Sequence, residues 1–220
     1  GISLGTATVL AILCYSTTPS YIVIQNIFGG LNSFSLLAIP FFMIAGSLMG
    51  LGGISKRIVK FADALVGWIT GGLGMVVVLA SMIFAAISGS APATVSSIGS
   101  MLLPQMEEKN YDKDFSTALV ASAGTIGVII PPSIPFVLYG INSNGKASVG
   151  DLFKAGVVPG ILIAACLMLY CVIFCTRNGE DKVRIQAHVA KLRANGYLSV
   201  LREGIWALLA PVVILGGIYS

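Results

Sequence analysis

Residues 71–105, GGLGMVVVLASMIFAAISGSAPATVSSIGSMLLPQ, contain no ionisable side chain and carry a backbone breaker at their centre. As one continuous helix the stretch would span roughly 50 Å, well beyond the ~30 Å hydrocarbon core of a bilayer. Something must fold it. At Ser88-Gly89-Ser90-Ala91-Pro92 the glycine loosens the backbone, while the proline removes a donor and favours an extended Ala91. The stretch therefore reads as two half-helices, 73–87 and 93–106, that enter and leave a membrane by the same side as a re-entrant hairpin. Irregular backbone at membrane depth is tolerated only where protein buries it or it lines a water-filled cavity, so the tip is a candidate site.

A membrane is the solvent that the composition requires. Hydrophobic residues make up 56% of the chain and charged residues 10%, with a mean hydropathy of +0.92. The apolar blocks are helix-length, and the ~10-residue alternating segments of a β-barrel do not occur. The fold class expected is thus an all-α integral membrane protein. The chain starts at Gly1 inside an apolar run and stops at Ser220 inside another, which reads as a fragment.

Charge placement supplies the topology. Residues 1–55 carry no charged side chain, and Lys56, Arg57 and Lys60 then appear together. With these on the cytoplasmic side, a hairpin over 71–105 returns the chain to that side at Lys109 and Lys113. Residues 115–139 then cross outward, 142–154 are external, and 155–175 cross back to the basic block beginning at Arg177. A simple crossing over 71–105 fits only with an additional crossing. Five regions follow: transmembrane helices and an interfacial helix over 1–70, the hairpin over 71–106, a discontinuous helix and a following crossing over 107–176, a cytoplasmic amphipathic arm over 177–205, and the start of another crossing over 206–220. Within the first, Ile54, Ile58, Phe61, Ala62 and Leu65 follow a 3.6-residue spacing opposite Lys56, Lys60 and Asp63, as in a helix lying at an interface. A helix end with snorkelling lysines fits equally well.

The second uncharged stretch, residues 115–140, reads FSTALVASAGTIGVIIPPSIPFVLYG. Its small residues allow close helix approach. Pro131, Pro132 and Pro135 each remove a backbone donor, which predicts a helix broken there, with carbonyls near Gly127, Val128 and Ile130 left for a small hard cation. Alternatively, a neighbouring Ser or Thr satisfies the kink. Two broken, charge-free segments with hydroxyls beside the breaks match the half-helix binding architecture of secondary transporters.

The motifs Gly89-Ser90-Ala91-Pro92-Ala93-Thr94-Val95 and Gly124-Thr125-Ile126-Gly127-Val128-Ile129-Ile130-Pro131-Pro132-Ser133-Ile134-Pro135 resemble the large membrane subunit of tripartite ATP-independent periplasmic (TRAP) transporters. Leu37-Ala38-Ile39-Pro40-Phe41-Phe42 extends the likeness. The resemblance implies one half of an inverted-repeat, elevator-type transporter, its second copy expected beyond Ser220. It implies sodium as coupling ion, no other cofactor, and import of an organic acid such as a dicarboxylate or sialic acid. The implied partners are a small four-helix membrane subunit, a periplasmic solute-binding protein and membrane lipid, without nucleic acid, in a multi-pass protein of the bacterial inner membrane. Carried over by motif, Ser88, Ser90, Thr94, Gly124, Thr125, Gly127 and Pro131 are the cation-binding candidates, and Ser90, Ala91 and Ser133 the substrate-side ones. Thr94 stands where some relatives have an acidic residue, which leaves cation binding to neutral oxygens.

Other residues take plainer readings. Cys166, Cys171 and Cys175 lack metal-ligand spacing and read as small hydrophobes, as does Cys14; His188 sits in the basic block facing water. No Ser-His-Asp set or phosphate loop occurs, so an enzyme is not expected. An ion-channel subunit or a structural membrane subunit remain the alternatives to a transporter. The absence of intramembrane Asp, Glu, His or Lys favours sodium over a proton relay.

Overall fold

The computed structural model describes residues 2–15, 52–143 and 146–177, with short runs between 21 and 48 and between 209 and 217. All but the first residue of the arm expected over 177–205, with His188, and most of residues 16–51 and of the final segment lie outside the described residues. Every regular element among those described is helical. Contacts divide the chain into residues 1–38 and 39–220. The first unit holds α1 (Ile2–Tyr15), an apolar helix with Val9 and Leu10 exposed.

The second unit is built around the uncharged stretch. It comprises α2 (Ile54–Val66), α3 (Gly72–Ser88), α4 (Ala91–Glu108), α5 (Lys113–Gly124), a 3-10 turn (Thr125–Val128), α6 (Ile134–Asn142) and α7 (Val149–Arg177). Helices α3 and α4 pack against each other as a helical hairpin, with only Gly89 and Ser90 between them. Each half extends slightly beyond the range read from sequence. Ala91 is already helical and Ser90 is the extended residue (φ −136°, ψ 120°), because Pro92 falls in the first turn, where its missing N–H would have had no partner. Gly89 ends α3 in the left-handed conformation (φ 61°).

Helix α3 is the core. Leu73 to Val78 are all buried, together with Ala80, Ile83, Phe84, Ala85 and Ile87. Being apolar all round, it is covered by α2, α4, α5, the 3-10 turn and α7. Helix α2 packs on it through Ile58, Val59 and Ala62, with Ile54 and Phe61 half-buried and Leu65 exposed. The buried face is therefore rotated slightly from the one read by spacing, since Val59 replaces Leu65 on it.

Helix α7 measures ~43 Å for its 29 residues at the usual helical rise. It is long and apolar enough to cross a membrane, and Val158, Ile161, Leu162, Leu169 and Ile173 are exposed along it. It begins at Val149, inside the stretch expected to be an external loop. Asp151 in its first turn complements the helix dipole and lies 3.6 Å from Lys154, so charged residues extend the helix past its apolar part.

Helix α7 also sets the levels of its neighbours. A Cβ at Gly71, before α3, would stand 2.9 Å from the Cys171 carbonyl. Beyond α4, Tyr111 stacks on Phe115, whose ring lies 4.0 Å from that of Phe174 and parallel to it. Both feet of the hairpin are therefore at the C-terminal end of α7. Its tip is elsewhere: a Cβ on Gly89 would overlap the Pro132 carbonyl, and the adjoining Ile129 and Ile130 pack on Gly156 and Gly160. Gly160 and Cys171 are separated by roughly 16 Å along the helix. The interrupted run from α5 to α6 continues past that level, with Gly140 against Val149 at the start of α7.

Gly89 and Gly53 separate two costs. Gly53 is also left-handed (φ 76°), but nothing lies within 4 Å of a Cβ placed there. Gly53→Ala is expected to lose about 1 kcal/mol from backbone conformation alone. Gly89→Ala adds the collision with Pro132, and thermal unfolding of the full-length protein should fall measurably further than for Gly53→Ala. Equal losses would mean that tip and broken helix are not in contact.

Candidate functional site

Two chain breaks meet in the middle of this arrangement. On the hairpin, α3 ends at Ser88, and α4 starts after Ser90, whose side chain makes no capping bond. On the other segment, α5 tightens into the 3-10 turn, then runs through Pro131 and Pro132, joined by a cis peptide, to α6. Gly127 lies where they touch. A Cβ there would be 2.9 Å from Thr94 Oγ1 and 3.1 Å from the Ser90 carbonyl oxygen, so only glycine lets the two backbones approach this closely. At Gly124 a Cβ would overlap the Val95 side chain and stand 3.6 Å from the Ala91 carbonyl oxygen.

The hydroxyls at the tip form a directed chain. Thr94 Oγ1 donates to the Ser90 carbonyl at 2.9 Å and lies 3.2 Å from Ser88 Oγ. Thr94 has one hydroxyl proton, and that proton is used on Ser90, so Ser88 is the donor to Thr94. Thr94 is fully buried and Ser88 nearly so. Lone pairs remain on both oxygens. The C-terminal end of α3 brings partial negative charge to the tip, and the N-terminal ends of α4 and α6 bring partial positive charge to the two breaks.

The sequence-derived candidates separate into two groups. Ser88, Ser90, Thr94, Gly124 and Gly127 come together with half-buried Ala91, and Pro131 is buried in the second break. Thr125 and Ser133 have their hydroxyls committed locally. Thr125 is exposed and donates to the Ser122 carbonyl at 2.7 Å. Ser133 is fully buried, donates to the Val128 carbonyl at 2.6 Å and accepts from Phe136 N–H at 3.4 Å, capping α6. The Val128 carbonyl, expected to be left open by the prolines, is thus satisfied by Ser133, and at this position the serine-satisfied kink is the reading that holds. The Ile126 carbonyl likewise accepts from both Ile129 and Ile130 N–H groups.

Two contributors were not among the sequence-derived site residues. Pro132 supplies the carbonyl against Gly89, and Gly46 abuts Ser88, where a Cβ would be 3.2 Å from both Cα and Cβ. A glycine facing a serine across helices was the available signal, although nothing in the sequence pairs those positions. Among the described residues no cluster of His, Cys, Asp or Glu could hold a metal ion. Cys171 and Cys175 are buried, Cys14 and Cys166 exposed, and none of the four is in a disulfide.

Residues 1–220 match the family model of the tripartite ATP-independent periplasmic transporter, DctM component. The chain belongs to this family. It is 44% identical over 220 residues to the C4-dicarboxylate TRAP transporter large permease protein DctM of Vibrio cholerae, covering all of this chain and 47% of that protein. It is 43% identical over 219 residues to the isethionate TRAP transporter permease protein DctMQ of Oleidesulfovibrio alaskensis, covering 33% of it, and 38% identical over 220 residues to the sialic acid TRAP transporter large permease protein SiaM of Vibrio cholerae, covering 50%. The chain spans between a third and a half of the length of these TRAP permeases, which are transporter components rather than enzymes.

The Thr94 network can be tested in a full-length TRAP permease carrying this sequence. Thr94→Val keeps the branched shape and the Thr94 N–H bond to the Ser90 carbonyl at 3.1 Å, but leaves the buried Ser88 hydroxyl without its acceptor, a loss of about 1–3 kcal/mol. Thr94→Ser should retain most of the stability. Chemical or thermal unfolding that ranks the two variants equally would contradict the hydrogen-bonded chain.

Proposed function

We propose that this chain forms the ion- and substrate-handling part of a multi-pass TRAP permease in the bacterial inner membrane, coupling sodium entry to import of an organic acid of the dicarboxylate or sialic-acid class. The observation that carries this reading is the meeting of two helix breaks at Gly127 and Gly89, lined by neutral hydroxyls and backbone. Hard oxygen donors at a helix C-terminal end suit an alkali cation, and helix N-terminal ends beside them suit a carboxylate. Ser88, Thr94 and backbone oxygens around Gly127 hold the sodium in this proposal, with Ser90 and Ala91 on the substrate side. Thr125, exposed and bonded to the Ser122 carbonyl, is the more peripheral oxygen in this proposal.

Re-entry of the hairpin is part of the same proposal. It is supported by both feet standing at the Cys171–Phe174 end of α7 while the tip meets Pro132, whose neighbours Ile129 and Ile130 pack on Gly160, about 16 Å further along that helix. A hairpin ending at mid-depth beside a broken helix suits an elevator-type transport domain. The names of relatives that carry C4-dicarboxylates, sialic acid and 2,3-diketo-L-gulonate support the organic-acid class. The proposed partners, following from family membership, are a small four-helix membrane subunit and a periplasmic binding protein that delivers the solute.

Uptake into proteoliposomes by the complete three-component system tests the coupling. Thr94→Val should raise the external sodium needed for half-maximal uptake about tenfold or more, with a smaller effect from Thr125→Val. Full uptake without sodium, or on a proton gradient alone, would overturn it. Topology is tested with single cysteines at Thr70 and Glu108, both expected to react with an impermeant thiol reagent added from the cytoplasmic side; labelling from opposite sides would remove the re-entrant hairpin.

A further inference from the structure

Away from the two breaks, a groove of about 440 Å³ runs between α2 and the feet of α3 and α4. Its chemistry is divided. Lys56 and Lys60, one turn apart on the same face of α2, line it together with Gln105 of α4, while half-buried Met101 and the edges of Val59 and Leu73 contribute an apolar surface. Both lysines are exposed, and neither forms an ion pair among the described residues. Asp63 also lines the groove but is already engaged within the fold. Arg57 is exposed on the same helix and does not line the groove.

An occupant must bring a negative charge to two neighbouring ammonium groups and an apolar body to the wall below them. A soluble anion satisfies only the first requirement. An acidic peptide segment satisfies the charge but leaves a groove bordering lipid to be filled by polar backbone. A phospholipid supplies both parts in one molecule, and the groove lies beside the Lys56, Arg57 and Lys60 cluster of α2, the kind of cluster that attracts anionic headgroups at a membrane face. We propose that this groove binds an anionic phospholipid, its phosphate held between Lys56 and Lys60 and its acyl chain laid along Met101 beside Val59 and Leu73. The lipid then bridges α2 to both feet of the hairpin. The site requires only that the chain lie in a bilayer, so it stands apart from sodium coupling at the tip.

The test uses the full-length permease with its small membrane subunit, purified in mild detergent and examined by native mass spectrometry after titration with phosphatidylglycerol. The double substitution K56Q/K60Q is expected to weaken retention about 30-fold, corresponding to ~1 kcal/mol per lysine at an anionic surface. Arg57→Gln, which removes the same charge outside the groove, should leave retention within about threefold. Met101→Trp, which fills the apolar wall and keeps both lysines, should also displace the lipid. Equal loss in Arg57→Gln and K56Q/K60Q would reduce the effect to general surface charge and overturn the site. So would unchanged retention in K56Q/K60Q, or protection of the two lysines from amine labelling by the small subunit in fully delipidated protein.

Discussion

Everything in the central unit depends on how closely two backbones approach at the tip of the α3–α4 hairpin. Gly127 lies against the Ser90 carbonyl and the Thr94 hydroxyl, and Gly89 lies against the Pro132 carbonyl, at separations that leave no room for a Cβ. Side-chain packing alone tolerates such approach poorly, because carbonyl dipoles are brought together with few atoms between them. Here the backbone groups are satisfied locally. Ser133 takes the Val128 carbonyl, Thr94 takes the Ser90 carbonyl, and Ser88 closes the chain onto Thr94. What remains are oxygen lone pairs and helix ends facing each other without a fixed charge between them.

That absence of charge is consistent with the burial. An ionised side chain at the position of Thr94, fully enclosed, would need a partner or would neutralise itself. Neutral hydroxyls can be desolvated at modest cost and still coordinate a cation that arrives with its own charge. Apolar α3, covered on all sides, then acts as the rigid post on which both breaks are mounted. Its glycine-rich foot and its glycine C-cap allow α7 and the broken helix to come close at the two ends.

Much of this was legible in the sequence because the decisive signals were local. An uncharged run too long for one helix, with Gly89 and Pro92 at its centre, located two packed helices and the break between them within a few residues at each end, and the three prolines located the second break. What sequence could not supply was direction. The prolines announce lost donors, but whether the opposing carbonyls stay open depends on a rotamer of Ser133, and the side on which Thr125 projects depends on the phase of a 3-10 turn. Gly46 against Ser88 is a contact between distant residues with no spacing rule linking them. The start of α7 was misplaced because apolarity was used as the boundary, whereas Asp151 and Lys154 continue the helix through charge.

The most direct measurement is equilibrium binding of radiolabelled sodium to the purified full-length permease, comparing the native protein with Gly127→Ala. The substitution adds one methyl group and removes no oxygen, but its Cβ would press on Thr94 Oγ1 and the Ser90 carbonyl and force the two breaks apart. If the breaks together form the cation site, native protein binds sodium saturably and Gly127→Ala weakens that binding at least tenfold with helix content unchanged. Sodium binding of equal affinity in both proteins would contradict it.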